Sequence, residues 1–128
     1  MDRLIEAALE ARARARAPFS GFLVGAALEE ADGRVFTGCN VESASYGLTM
    51  CAERVAAFRA VADGATRFVR IVVAADSETL TPPCGACRQV LWELCGDVEI
   101  VLVNLQGAEE TMRLSTLLPR PFDAKFLD

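Results

Sequence analysis

Two short segments hold the residues best placed to do chemistry together: Cys51-Ala52-Glu53 and Pro83-Cys84-Gly85-Ala86-Cys87. Cys84 and Cys87 stand three positions apart, close to one helical turn, so both sulfurs can face one ion. Three thiolates suit a borderline-soft ion such as zinc, and three protein ligands leave a fourth position open for water. A closed structural site would want a fourth Cys or His. The chain has no histidine. The remaining cysteines, Cys39 and Cys95, fall elsewhere in the pattern and are assigned to the core or to no role. The spacing therefore predicts an open metal site built from Cys51, Cys84 and Cys87.

Zinc with three thiolates carries a net charge of about −1, which is poor for acidifying water. Two features offset this. All three cysteines are expected in the first turns of helices, where backbone N–H groups and the positive dipole end favour thiolate. Arg54 can also donate hydrogen bonds to the sulfurs and draw off negative charge. Glu53 is the candidate proton carrier, since a carboxylate beside an activated water can take its proton and return it to a leaving group.

Each piece alone has a plainer meaning. A single C-x-x-C at a helix start reads equally as a redox pair. Cys51 alone reads as a small buried hydrophobe, Glu53 as a solvated acid and Arg54 as a surface residue. The conjunction of C-x-E at one helix start and P-C-x-x-C at the next is what points to metal chemistry. The lack of histidine also removes Ser-His-Asp and Cys-His nucleophiles and any His ligand.

Length and composition narrow the class. A chain of 128 residues fits one domain, 1–128, and with 52% hydrophobic residues it can build a core without disulfides. Thirteen Lys and Arg against 18 Asp and Glu give a net charge of −5, which disfavours nucleic acid as a partner. The N-terminal stretch is broken by Asp2, Arg3 and Glu6, and no run approaches the roughly 18 apolar residues of a membrane span. A cytoplasmic protein with no membrane partner is expected.

The elements that must position the site follow from periodicity. Residues 2–16 read as a helix with Leu4, Ile5, Ala8 and Leu9 on one stripe, stopped by Pro18. Phe22 to Leu28 and Val35 to Val41 read as strands joined through Asp32-Gly33. Residues 43–49 read as a loop. A second helix is expected from about Met50 to Asp63, with Cys51, Val55, Phe58 and Ala62 on one face. Phe68 to Ala75 reads as a strand buried on both faces. A third helix opens at Thr81-Pro82-Pro83, carries Cys87, Val90, Leu91 and Leu94 on one face, and ends at Gly96; Ile100 to Val103 is another strand. A short helical stretch follows at Leu114 to Leu118.

The order α-β-β-α-β-α-β implies an α/β protein: a mixed sheet with helices on both faces. The hairpin supplies an antiparallel pair, and each helix-linked strand is expected to join in parallel. Both cysteine-bearing helices start at one end of that sheet, where open α/β sheets bind ligands.

With these residues in place, the sequence resembles the small, homotetrameric cytidine deaminases. The resemblance rests on Phe19-Ser20-Gly21-Phe22-Leu23-Val24-Gly25-Ala26-Ala27, Gly38-Cys39-Asn40-Val41-Glu42-Ser43-Ala44-Ser45-Tyr46-Gly47, Cys51-Ala52-Glu53-Arg54 and Pro83-Cys84-Gly85-Ala86-Cys87-Arg88-Gln89. A Cys-held zinc, a non-ligand Glu and a P-C-x-x-C segment are also the marks of zinc base deaminases in general. The resemblance implies a three-layer α/β/α fold with a mixed five-stranded sheet and one zinc per subunit.

It further implies that Phe22 contacts the pyrimidine, that Asn40 and Glu42 bind the ribose hydroxyls, and that Ala52 and Cys84 offer backbone groups to the base. Gln89 and Arg54 support the site, while Tyr46 and Phe122 reach a neighbouring subunit's site in a homotetramer. The tail after Phe122 is short, and Thr81-Pro82-Pro83 carries an extra proline. The implied reaction is hydrolytic deamination of cytidine and 2′-deoxycytidine to the uridine products with release of ammonia, a step of pyrimidine salvage. Glu53 would move protons from water to N3 and to the departing amine. The rival readings are a deaminase of another cytosine nucleoside such as blasticidin S, a polynucleotide editor, and a non-catalytic zinc or redox module.

Overall fold

The structure is a computed structural model and describes residues 2–127. The chain runs α1 (Arg3–Arg12), β1 (Val24–Glu30), β2 (Val35–Cys39), α2 (Ala52–Ala62), β3 (Phe68–Ala75), α3 (Gly85–Cys95), β4 (Glu99–Val103), β5 (Glu109–Arg113) and α4 (Leu114–Leu117). Short 3₁₀ turns occupy Tyr46–Leu48 and Ala124–Leu127. The five strands form one mixed sheet in the order β2-β1-β3-β4-β5. The α/β class and the five-stranded mixed sheet are as expected.

Alternation along the strands sends side chains to two cores. On one face α1 packs Leu4, Ile5 and Ala8 onto Ala27, Val72, Ala74, Val101 and Val103. On the other, α2 and α3 pack Ala52, Ala56, Ala60 and Leu91 onto Ala26, Leu28, Ile71, Val73 and Leu102. The three layers are thus one helix, the sheet, and the pair of helices that carries the cysteines.

One expectation about strand direction is corrected. β3 was expected to join in parallel through its helix connection, but it pairs antiparallel with β1, with Leu28 opposite Ile71. The α2 crossover carries the chain past β1, so β2 and β3 point the same way without touching. Among the five described strands, β3 and β4, linked through α3, are the parallel neighbours. The fifth strand, β5, is antiparallel to β4 at the sheet edge. Its sequence Glu-Glu-Thr-Met-Arg is mostly exposed, so it lacks the alternation that marks a half-buried strand.

Helix boundaries also move for identifiable reasons. α1 stops at Arg12 and does not continue to residue 16. Arg16 is recruited elsewhere: its N–H donates to the Asn40 carbonyl at 2.9 Å, and its carbonyl accepts the Glu42 N–H at 2.8 Å. On its other side Val41 exchanges two 2.9 Å hydrogen bonds with Met50. The chain beyond β2 is thereby held extended between two neighbours. α3 begins at Gly85, with Cys84 as N-cap, because residues preceding a proline avoid helical backbone and Pro83 forbids it at Pro82.

The buried face of α2 is not the one expected. Ala52, Glu53, Ala56, Ala57 and Ala60 face inward, whereas Phe58 and Val61 are exposed. Small residues on this face let the helix backbone approach Gly38 on β2. A Cβ on Gly38 would lie 2.5 Å from the Ala56 nitrogen and nearer still to the Ala52 carbonyl oxygen. Gly25 does the same for α1 on the opposite face, where a Cβ would sit 2.8 Å from the Arg12 Cα.

Gly38→Ala is therefore expected to push α2 outward at a cost of about 1–3 kcal/mol. Because α2 carries Glu53 and starts at Cys51, activity should fall with the melting temperature. A thermal melt paired with zinc content tests this, and an unchanged melt would contradict the close approach.

Candidate metal centre and active site

The two cysteine-bearing helix starts meet. Cys51 is the N-cap of α2 and Cys84 the N-cap of α3, each with extended backbone and a side chain that makes no capping hydrogen bond. Their sulfurs are consequently free to turn toward each other. Cys51 Sγ lies 3.7 Å from Cys84 Sγ, and Cys84 Sγ lies 3.4 Å from Cys87 Sγ. All three sulfurs fall within 4.8 Å of one another, and none is in a disulfide.

These spacings fit a metal. Sulfurs bound tetrahedrally at about 2.3 Å from zinc stand roughly 3.8 Å apart, close to the distances observed. Cys87 is fully buried and Cys84 exposed, so the cradle has a covered side and an open side. Arg54 donates from Nη2 to Cys51 Sγ at 3.3 Å, as expected of a group that drains charge from the sulfurs.

The charge pattern suits cation capture. The Cys51 thiol is pulled down to about 5, chiefly by a hydrogen bond from Cys87, with Arg54 and Cys84 adding to it. Cys87 is pushed up, out of the ordinary thiol range, by donating to Cys51 and by burial. Filling the cradle must therefore displace the Cys87 proton at neutral pH, and affinity should rise with pH. A competition titration at several pH values is expected to show zinc binding weakening about tenfold per unit of acidification for each proton displaced. Affinity independent of pH would rule out thiolate ligation.

Glu53 is only 4% exposed, one residue from Ala52 on the inward face of α2. Burial disfavours its charge and raises it to about 7, with the Cys51 thiolate adding repulsion. A carboxyl poised near neutrality can both accept and release a proton.

A cavity of about 200 Å³ opens over this group. Its lining includes Cys51, Cys84, Glu53, Ala52, Asn40 and Phe22, so six of the residues singled out in the sequence are brought together. The wall is completed by Val24, Thr49, Val73, Thr81 and Pro82, which the sequence reading did not assign to the site. Thr49 and Thr81 lie in loops with no motif of their own, and Val73 reads as an ordinary core residue of β3. Only their adjacency to the motifs hinted at such a role.

The other expected residues sit apart. Glu42 and Tyr46 line a second cavity of about 360 Å³, and Thr49 borders both. Tyr46 is 78% exposed and meets Phe19 edge-on at 6.3 Å. Phe122 lines neither cavity; its ring stacks on Phe126 at 5.7 Å, and its carbonyl accepts from Gln89 Nε2 at 2.7 Å. Cys95 packs against the core with its thiol pushed up to about 12 by burial, and Cys39 is half-buried in β2.

Among known proteins, the family model described as the cytidine and deoxycytidylate deaminase zinc-binding region matches residues 1–104. The chain is 52% identical to a cytidine deaminase of Halalkalibacterium halodurans, over 98% of this chain and 97% of that one. It is 44% identical to a cytidine deaminase of Sporosarcina psychrophila, over 99% and 94%. The fold superposes on the crystal structure of cytidine deaminase from Burkholderia pseudomallei with a TM-score of 0.91 at 50% identity, covering 95% of this chain and all of that one.

Proposed function

The chain belongs to the cytidine and deoxycytidylate deaminase family, and we propose that it hydrolyses cytidine and 2′-deoxycytidine to the corresponding uridines and ammonia, with 1–128 acting as one catalytic domain. The observation that carries this reading is the convergence of three sulfurs and a buried carboxyl at one cavity.

Zinc is the cofactor, held by Cys51, Cys84 and Cys87, and when bound it supplies Lewis-acid activation of water. Glu53 would serve as the proton carrier, its carboxyl accepting a proton from the attacking water and donating to N3 of the pyrimidine and then to the departing amine. Burial keeps this carboxyl from being levelled by solvent. Phe22 packs against the pyrimidine, and the backbone at Ala52 and Cys84 meets its polar edge. Arg54 tempers the charge on the sulfurs.

Asn40 and Glu42 bind the sugar hydroxyls. The Asn40 amide already donates to the Phe22 carbonyl at 2.8 Å and accepts from the Val24 N–H at 2.9 Å. One N–H and one lone pair remain for substrate. Thr49 on both cavities supports a nucleoside lying across them, base toward the sulfurs and sugar toward Glu42.

The assembly we propose is a homotetramer in the cytoplasm, in which Tyr46 and Phe122 serve a neighbour's site and Gln89 secures Phe122. The exposure of Tyr46, Leu48, Phe58, Val61, Phe122 and Phe126 supports buried interfaces between copies. No helix among the described residues is long and apolar enough to cross a membrane. Light scattering should give a mass near four times 13.8 kDa.

The deciding assay follows absorbance loss and ammonia release with cytidine, with a single-stranded oligonucleotide and blasticidin S as competitors for the role of substrate. Turnover of the free nucleosides is expected. Turnover confined to the antibiotic or the oligonucleotide would displace this reading.

A further inference from the structure

Glu42 and Phe22 stand 20 positions apart in sequence, yet one hydroxyl joins them. Ser20 donates from Oγ to Glu42 Oε2, while the same Oγ accepts the Phe22 backbone N–H at 3.0 Å. The other carboxylate oxygen, Glu42 Oε1, accepts the N–H groups of Phe19 at 3.0 Å and Ser20 at 3.1 Å. The segment from Phe19 to Val24 is therefore clamped twice, by Glu42 at its start and by Asn40 at Phe22 and Val24. A carboxylate offers about four acceptor directions. Three are taken by this segment, which leaves one on Oε2 for a further donor.

We propose that Ser20 is a positioning residue that sets the orientation of the Glu42 carboxylate and its distance from Phe22, so that the enzyme recognises a base and its attached sugar as one rigid unit. The proposal rests on the reading of Glu42 as a ligand of a sugar hydroxyl. Without the Ser20 hydroxyl, Oε2 has lost its protein partner, and the carboxylate, still held at Oε1 by the Phe19 and Ser20 N–H groups, can pivot about that oxygen away from the direction a sugar requires. Phe22 loses the acceptor for its N–H but stays held through its carbonyl by Asn40 at 2.8 Å, so its contact with the base is kept. Ser20 is exposed and outside both hydrophobic cores, so its removal does not threaten the fold.

The test uses zinc-loaded enzyme with cytidine as substrate and 2′,3′-dideoxycytidine as competitor. Ser20→Ala is expected to raise KM for cytidine about five- to tenfold, the worth of one such hydrogen bond, with kcat changed less than about twofold. The inhibition constant of the dideoxy compound, which has no sugar hydroxyl at these positions, should stay unchanged. Ser20→Thr, which keeps the hydroxyl, should restore the cytidine KM. Equal effects on both nucleosides, or a loss confined to kcat, overturn the proposal. Glu42→Ala separates the two layers of inference. If it raises KM while Ser20→Ala is silent, the positioning role is wrong and the sugar contact stands. If Glu42→Ala itself leaves KM unchanged, the sugar contact fails and the proposal fails with it.

Discussion

Glu53→Gln is expected to retain one zinc per chain and to lower kcat by roughly 10²- to 10⁴-fold, the usual worth of a positioned acid–base group. Glutamine fills the same volume in a pocket where Glu53 is 4% exposed, so packing is preserved. What is lost is the capacity to accept a proton from water and hand it on. The deficit should therefore appear mainly in kcat, with KM little changed.

Stability should move the other way. A carboxyl raised to about 7 in the fold, above its ordinary value, is one whose charged form the fold disfavours. That penalty grows as pH rises from the ordinary glutamate range toward 7 and is fully present above it. Neutral glutamine removes it, so the zinc-free variant should melt no lower than zinc-free wild type at pH 8. Wild-type turnover in the variant would take Glu53 out of the reaction.

Removing one sulfur should have a different signature. Cys87→Ala is expected to purify with far less than one zinc per chain, to be inactive, and to melt close to chelated wild-type enzyme. Cys87 is fully buried, and the Cys51 and Cys84 sulfurs alone make a poor tetrahedral set. Bound zinc at a hundredfold over its dissociation constant stabilises a fold by about 2.7 kcal/mol, and that contribution should vanish. The comparison with chelated wild type matters because both lack zinc, so any remaining difference is the small void left by the thiol. A variant that keeps both zinc and activity would mean that Cys87 is not a ligand.

These two variants act on the parts of the site most legible in the sequence. Cys84 and Cys87 lie one turn apart on any helix that starts there, and Glu53 lies two residues beyond Cys51 whatever the fold. Local spacing determines such relations because helical geometry is the same everywhere. Charge and the lack of histidine could be read without any structure, and they narrowed the chemistry to thiolate ligands with a carboxyl proton carrier.

Longer-range relations were less legible. The face of α2 was misread because hydrophobicity favours burying Phe58, whereas the sheet needed the alanines that fit against Gly38. α1 was read too long because its sequence continues to suit a helix, and nothing local reveals that Arg16 will pair with residues 40 and 42. β5 was invisible to periodicity because an edge strand in water need not alternate.

By itself, then, the sequence determined which atoms are available for catalysis: three sulfurs, one carboxyl and one guanidinium, each tied to a helix start by covalent spacing. Tertiary structure alone decided that the two helix starts meet, that Thr49 joins two cavities, and that Ser20 couples Phe22 to Glu42. The reason is physical. Contacts between residues distant in sequence depend on strand order and on how closely helices approach the sheet, and those are set by packing the whole chain at once.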